Sequence, residues 1–310
     1  YMIHNGWNKK YKLVWLVSNS KEYCGLNIPN VRFVDFVPKN KIMTLRKNII
    51  KYTARCFISC NRVQSKYKER QLAVFLCHGS KAKKTRGRYE VGNKVDYVLC
   101  QSDFFKNVTA YEYNVSKEKL VCLGYPRNDY LYQKKDVLAR IISSSYLKAI
   151  VWLPTWRHSR KPKNKSSIIK NDIPIITSQD TIIQINHLLR EKGIIMLLKP
   201  HPVQDTRLIQ MMHLSNFMVI NDELLAQNNI HLYELLSQSD AMITDYSSVY
   251  FDYLLINKPI GLTIDDLEAY REEHGFAYDT SKVHKAGYKI PTFKELCQFI
   301  EDVAADHDNL

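Results

Sequence analysis

Asp240-Ala-Met-Ile-Thr-Asp-Tyr-Ser-Ser-Val-Tyr-Phe-Asp252 is the stretch from which the fold can be read. Ala241–Thr244 is a compact, mostly apolar run, the pattern of a strand buried in a parallel sheet. From Val249 to Asn257 the residues suit a helix, and Pro259 stops it. Between them stand Asp245, Tyr246, Ser247 and Ser248, with no glycine or proline. A strand that turns sharply into a helix leaves backbone N–H groups unpaired at the helix start, where the dipole adds partial positive charge. With two hydroxyls beside it, that is a phosphate site in outline. A plainer reading stays open, in which Ser247 or Ser248 is an ordinary helix cap.

Outward from this stretch the same grammar repeats. Upstream, strands are expected at Ala149–Leu153, Ile194–Leu198 and Phe217–Ile220, with helices at Thr181–Glu191 and His231–Ser237. Downstream, a strand at Pro259–Leu262 and a closing helix at Phe293–Val303 follow. In the first half, strands are expected at Lys12–Val17, Val31–Phe36, Tyr52–Ser59, Leu72–Cys77, Asp96–Cys100 and Lys119–Leu123. Strands at this spacing with helices between them imply parallel α/β sheets. The simplest architecture is two open sheets facing each other across a cleft. Residues 131–148 carry a helical pattern that would link two domains, 1–135 and 136–310. The basic stretch Arg157–Lys170 has no clear period and reads as a loop.

Length and composition agree. A chain of 310 residues has room for two cores. No apolar run approaches a membrane span. The chain opens on Tyr1 without a signal-peptide pattern, so an excerpt of a longer protein is expected, with a targeting signal able to lie upstream. The seven cysteines form no CxxC pair, which points away from zinc and from a disulfide framework and toward reduced, buried thiols of a cytosolic protein. No acidic cluster suggests a metal. The net charge of +14 is uneven: residues 1–150 hold 29 Lys and Arg against 10 Asp and Glu, whereas residues 151–310 hold 16 against 21. The first half is therefore expected to face something anionic: a membrane leaflet, a phosphate-rich substrate or nucleic acid. A solvated lysine-rich surface explains scattered lysines but not so large a difference.

Four polar clusters fall just past the carboxyl ends of expected strands. They are His78-Gly79-Ser80, Thr155 after Pro154, His201 in Lys199-Pro200-His201-Pro202, and Ser247-Ser248. In open α/β sheets that edge is where ligands bind. His78 is followed by Gly79, which allows close backbone approach, and by Lys81, Lys83, Lys84, Arg86 and Arg88. A histidine among so many cations resists protonation and is suited to take a proton from a hydroxyl. His201 is stiffened by its flanking prolines beside Lys199, an arrangement that preorganises a phosphate donor. Asp252 stands one turn after Ser248, placed either to bind a hydroxyl or to complement the helix start.

Together, His78-Gly-Ser80, Gly124-Tyr-Pro-Arg-Asn-Asp129, Leu153-Pro-Thr-Trp-Arg157, Lys199-Pro-His-Pro202, Ile243–Asp252 and Asn257-Lys-Pro259 resemble the CDP-glycerol glycerophosphotransferase family of teichoic acid and capsule synthesis. Tyr270-Arg271 with Gly275-Phe276 is similar to the family's closing segment. The resemblance runs from about Trp15 to about Tyr278. It implies a GT-B fold of two Rossmann-like domains, with a CDP-glycerol or CDP-ribitol donor held mostly by the second and no cofactor. His78 matches the family's proposed catalytic base, and His201 its second essential histidine, which supports the pyrophosphate. Arg127, Pro154, Thr155, Ser247, Ser248 and Asp252 match donor-contacting positions. Gly79, Ser80, Arg157, Lys199, Pro200 and Asp245 complete the expected substrate-binding set.

Two departures stand out. Ser80 and Lys81 replace the family's usual Thr-Pro, and Lys199 replaces an arginine, keeping the charge but losing the bidentate fork. The implied reaction is direct transfer: an acceptor hydroxyl on a lipid-linked glycan or polymer gives its proton to His78 and attacks the phosphorus next to the alditol, and CMP leaves. The implied location is the inner face of the bacterial plasma membrane, as a peripheral protein. Two other classes remain: a nucleotide-sugar glycosyltransferase of the same architecture, and a non-catalytic binder of nucleic acid or anionic polymer, for which no nucleic-acid motif is present.

Overall fold

Short apolar runs bounded by loops become parallel strands throughout. The computed structural model describes residues 2–77, 79, 90–155, 173–202, 204, 206–280 and 284–307. In the first half the strands are β1 (Leu13–Val17), β2 (Val31–Asp35), β3 (Cys56–Ser59), β4 (Leu72–Phe75), β5 (Tyr97–Cys100) and β6 (Leu120–Cys122). All six were expected, but they make two sheets. β1 and β2 pair as a parallel ribbon, and β3-β4-β5-β6 form a four-stranded sheet. Gln71 closes one end of the latter: its amide donates to the carbonyls of Lys51 (3.0 Å) and Ala54 (2.6 Å) as the helix Lys41–Thr53 ends.

The second half gives β7 (Lys148–Trp152), β8 (Ile194–Leu198), β9 (Phe217–Val219), β10 (Ala241–Thr244), β11 (Ile260–Thr263) and β12 (Tyr288–Ile290). They join in one sheet of order β12-β11-β10-β7-β8-β9 with parallel pairing. This is the Rossmann order, and the chain reverses direction across the sheet between β7 and β10. Every residue of β8, β10 and β11 is buried, as expected of strands covered on both faces. The helices Gln179–Glu191 and Phe293–Ala304 pack Ile182, Ile185, Leu189, Leu296, Phe299 and Ile300 against Ile150, Trp152, Met196, Leu198 and Ile243 of the sheet.

Several expectations are corrected. Residues 131–148 do not form a linking helix; only 3₁₀ turns at Pro126–Tyr132 and Leu138–Arg140 appear there. Packing gathers the chain into two compact units. One compact unit holds Tyr1–His78, Glu90–Leu99 and Val115–Val121; Cys100–Asn114 and everything from Cys122 onward belong to the other. The reason is anchorage. Phe105 packs edge-on against Phe251 at 4.8 Å, Lys135 pairs with Glu234 at 2.5 Å, and Tyr132 donates to the Leu255 carbonyl at 3.2 Å. Of the cysteines, only Cys77 and Cys100 are buried; Cys24, Cys56 and Cys60 are exposed, and all seven are free. The helix Asp222–Gln227 was not anticipated, although Asn221 capping it and the acidic first turn are ordinary start signals. The basic stretch Arg157–Lys170 lies outside the described residues.

Candidate active site

The loops after β7 and β10 meet at the reversal point and are stitched together. The Leu153 N–H donates to the Ile243 carbonyl at 2.8 Å, and the Thr244 hydroxyl donates to the Leu153 carbonyl at 2.8 Å. Asp245 closes the seam, accepting from the Thr155 N–H (2.8 Å) and hydroxyl (2.5 Å). On the other side of β7, the Lys199 N–H donates to the Trp152 carbonyl at 2.9 Å. Thr155, Lys199, Ser247 and Ser248 therefore share one edge of the second unit's sheet. Ser248 makes no side-chain cap, and the Ser247 hydroxyl sits 3.5 Å from the Val249 N–H, at the limit of a hydrogen bond. The hydroxyls are not simply spent on the helix start.

Beneath this edge lies a buried ionic hub. Gly124, at φ +71°, turns the chain after β6; Tyr125 is extended, and Pro126 opens the 3₁₀ turn that aims Arg127 inward. Asp252 has no exposed surface. Its Oδ2 accepts from Arg127 Nη2 (2.8 Å), Arg127 Nε (3.2 Å) and the Tyr233 hydroxyl (2.6 Å), and its Oδ1 from Asn128 (3.2 Å) and Gln101 (3.4 Å). Burial weighs against the Arg127 charge, but Asp252 and Tyr233 outweigh it and hold the guanidinium pKa above its ordinary value. Burial, and then the Asp252 carboxylate, push the Tyr233 hydroxyl well above the phenol range, so it stays a donor.

Gly79 packs directly on Ser248. Its φ is +151°, and a Cβ there would stand 2.6 Å from Ser248 Oγ, 3.2 Å from Ser248 Cβ and 3.6 Å from Arg127 Nη2. Glycine is thus required for backbone conformation and for space. Gly79→Ala is expected to lower stability by about 1–3 kcal/mol and to turn the Ser248 hydroxyl away. Thermal unfolding checks this; an unchanged midpoint would mean that the Ser248 side chain gives way to a methyl group without cost.

A cavity of about 360 Å³ opens beside the Lys199-Pro-His-Pro202 turn, lined among others by His201, Gln204, Arg207 and Asp222. Lys199, largely buried, pairs with Asp222 at 2.9 Å, and the His201 N–H donates to Gln204 Oε1 at 2.7 Å, fixing the turn while the residue itself stays exposed.

The expected site residues divide by what they touch. Arg127, Thr155, Ser247, Ser248 and Gly79 line the sheet edge or the hub below it, and Lys199 and His201 the neighbouring cavity. Asp245 and Asp252, expected against substrate, are buried and occupied by protein donors: they hold Thr155 and Arg127. Pro154 and Pro200 are likewise buried and shape their turns. His78, Ser80 and Arg157 lie outside the described residues. Sequence reasoning missed Tyr233, Tyr125, Asn128 and Gln101. Tyr125 and Asn128 flank Arg127 inside a motif already singled out, whereas nothing local marks Tyr233 or Gln101.

Residues 2–310 match the family described as CDP-glycerol:poly(glycerophosphate) glycerophosphotransferase. The teichoic acid glycerol-phosphate primase of Bacillus subtilis is 24% identical over 287 residues, covering 86% of this chain and 70% of that protein. The teichoic acid ribitol-phosphate primase of Bacillus spizizenii is 24% identical over 225 residues, covering 70% of this chain and 52% of its own length. The chain thus spans between about half and seven tenths of these relatives. The solved wall teichoic acid polymerase TagF superposes over 98% of this chain and 77% of its own, with a TM-score of 0.70 at 19% identity. The likeness in fold agrees with the GT-B class expected from the sequence.

Proposed function

The chain belongs to the CDP-glycerol:poly(glycerophosphate) glycerophosphotransferase family, and from that premise we propose that it moves an alditol phosphate from a CDP-alditol to an acceptor hydroxyl, releasing CMP. Glycerol phosphate is the first choice of group, and a lipid-linked glycan or polyol-phosphate polymer the acceptor. The observation that carries the reading is the convergence of Ser248, Gly79 and the Arg127 guanidinium at the point where the second unit's sheet reverses order. An edge carrying the Ser247 and Ser248 hydroxyls over a fixed cation suits a pyrophosphate.

In the proposed reaction His78 accepts the proton of the acceptor hydroxyl. The hydroxyl oxygen bonds to the phosphorus next to the alditol, and the bond from that phosphorus to the bridging oxygen breaks. CMP departs with the electron pair, its charge met by His201, Lys199 and the Ser247–Ser248 turn. No cofactor takes part. The test is CMP release from CDP-glycerol and CDP-ribitol side by side, with a UDP-sugar and a GDP-sugar as alternatives. Consumption of a nucleotide sugar without CMP release would replace this reading with a glycosyltransferase.

The same reading seats the protein on the inner face of the bacterial plasma membrane. No described helix is long and apolar enough to cross a membrane. The helix Lys41–Thr53 buries no residue and exposes Ile42, Leu45, Ile49 and Tyr52 at helical spacing among Lys41, Arg46, Lys47 and Lys51. A basic helix with an exposed apolar stripe suits an anionic lipid surface. Binding to phosphatidylglycerol vesicles is expected to weaken as salt rises; binding indifferent to salt would remove the membrane from the proposal.

A further inference from the structure

We propose that Tyr233, assisted by Tyr125, is a positioning residue that turns Arg127 into a receptor for a phosphate oxyanion of the donor; this rests on the transferase reading above. The geometry of the ion pair argues for it. A purely structural Arg–carboxylate pair favours two parallel bonds, one to each oxygen. Here Nε and Nη2 of Arg127 both converge on Oδ2 of Asp252, while Oδ1 is taken by Asn128 and Gln101. Tyr233 sets this offset. Its hydroxyl accepts from Arg127 Nε at 2.7 Å and donates to Oδ2 at 2.6 Å, a wedge between the two charged groups.

The rings complete the clamp. The guanidinium carbon lies 4.6 Å from the Tyr125 ring centre and 5.5 Å from that of Tyr233. Carboxylate, hydroxyl and rings thus fix one edge of the guanidinium. Among the described residues none accepts from Nη1, and it is not one of the buried side-chain atoms left without a partner: with the Arg127 side chain 22% exposed, this end of the guanidinium is open to solvent or to a ligand. Nη2, at the same end, lies beside the Gly79–Ser248 contact. A guanidinium held this way, anchored on one edge and open at the other with Nη2 beside the sheet edge, suits an anionic acceptor there.

Tyr233→Phe keeps the ring and removes the wedge. It is expected to lower kcat/KM for CMP release from the CDP-alditol about ten- to hundredfold, the worth of one charge-assisted hydrogen bond, mostly through KM. In an Arg127→Ala background the same change is expected to cost less than about twofold, because Tyr233 acts through Arg127. Equal losses in both backgrounds, with a falling unfolding midpoint, would make Tyr233 merely structural and overturn the proposal. A second arm needs neither turnover nor the Arg127→Ala variant. Pyrophosphate titrated into wild type should shift the Arg127 Nε–H resonance, and Tyr233→Phe should abolish that shift; a shift surviving the substitution also overturns the proposal. A wild type that shows the pyrophosphate shift but releases no CMP from either CDP-alditol would refute the transferase reading and leave the positioning role standing.

Discussion

Asp252→Ala is expected to cost the second unit about 3–5 kcal/mol, the largest stability effect of any single substitution near the site. The substitution removes no large volume. It leaves the Arg127 charge without its counter-ion in a pocket where burial already opposes it, and it strands the donors of Tyr233, Asn128 and Gln101. Each buried donor left unpaired adds a desolvation cost of its own. Asp252→Asn keeps the shape and an acceptor oxygen but not the charge, and should cost less, about 1–3 kcal/mol. Denaturant unfolding, read on the transition of the second unit, separates the two because two units need not unfold together. A cost below about 1 kcal/mol for Asp252→Ala would show that water reaches the pair. Activity should fall with both variants, since Arg127 loses its anchor in each.

That hub also marks where sequence reading stops. Strands were legible because each is a compact apolar run: Ala241–Thr244 and Ile194–Leu198 were placed to the residue. β12 was not expected, since three residues between Gly287 and Pro291 carry too little pattern. The site's edge was legible because ligand-facing groups follow strand ends, a local property. Partners brought together only by folding were not. Tyr233 and Asp252 are 19 positions apart, and Arg127 and Asp252 are 125 apart. From sequence, a carboxylate one turn into a helix looks like a ligand contact; only the fold shows it surrounded by donors. The motif Asn257-Lys-Pro259 likewise proves architectural. Asn257 takes φ +50° to end the turn, and Lys258 donates to the carbonyls of Ser237 and Ser239.

His78→Ala is expected to lower kcat for CMP release by about 10²–10⁴-fold with little change in KM for the CDP-alditol. A general base acts on the acceptor hydroxyl as the bond forms, so its loss is felt in the transition state and not in donor binding. His201→Ala should behave differently in degree but alike in kind. Its proposed partner is the leaving phosphate, whose charge grows as the bridging bond breaks. One charge-assisted hydrogen bond of about 1.5–3 kcal/mol corresponds to roughly a ten- to hundredfold loss of kcat. Lys199, paired with Asp222 beside the same cavity, remains to hold the ground state. The two variants therefore divide the mechanism. CMP release that survives His78→Ala would keep the reaction class and remove His78 as the base. An unchanged kcat with only a raised KM in His201→Ala would make that histidine a binding residue, and the leaving-group charge would then fall to Lys199 and the Ser247–Ser248 turn.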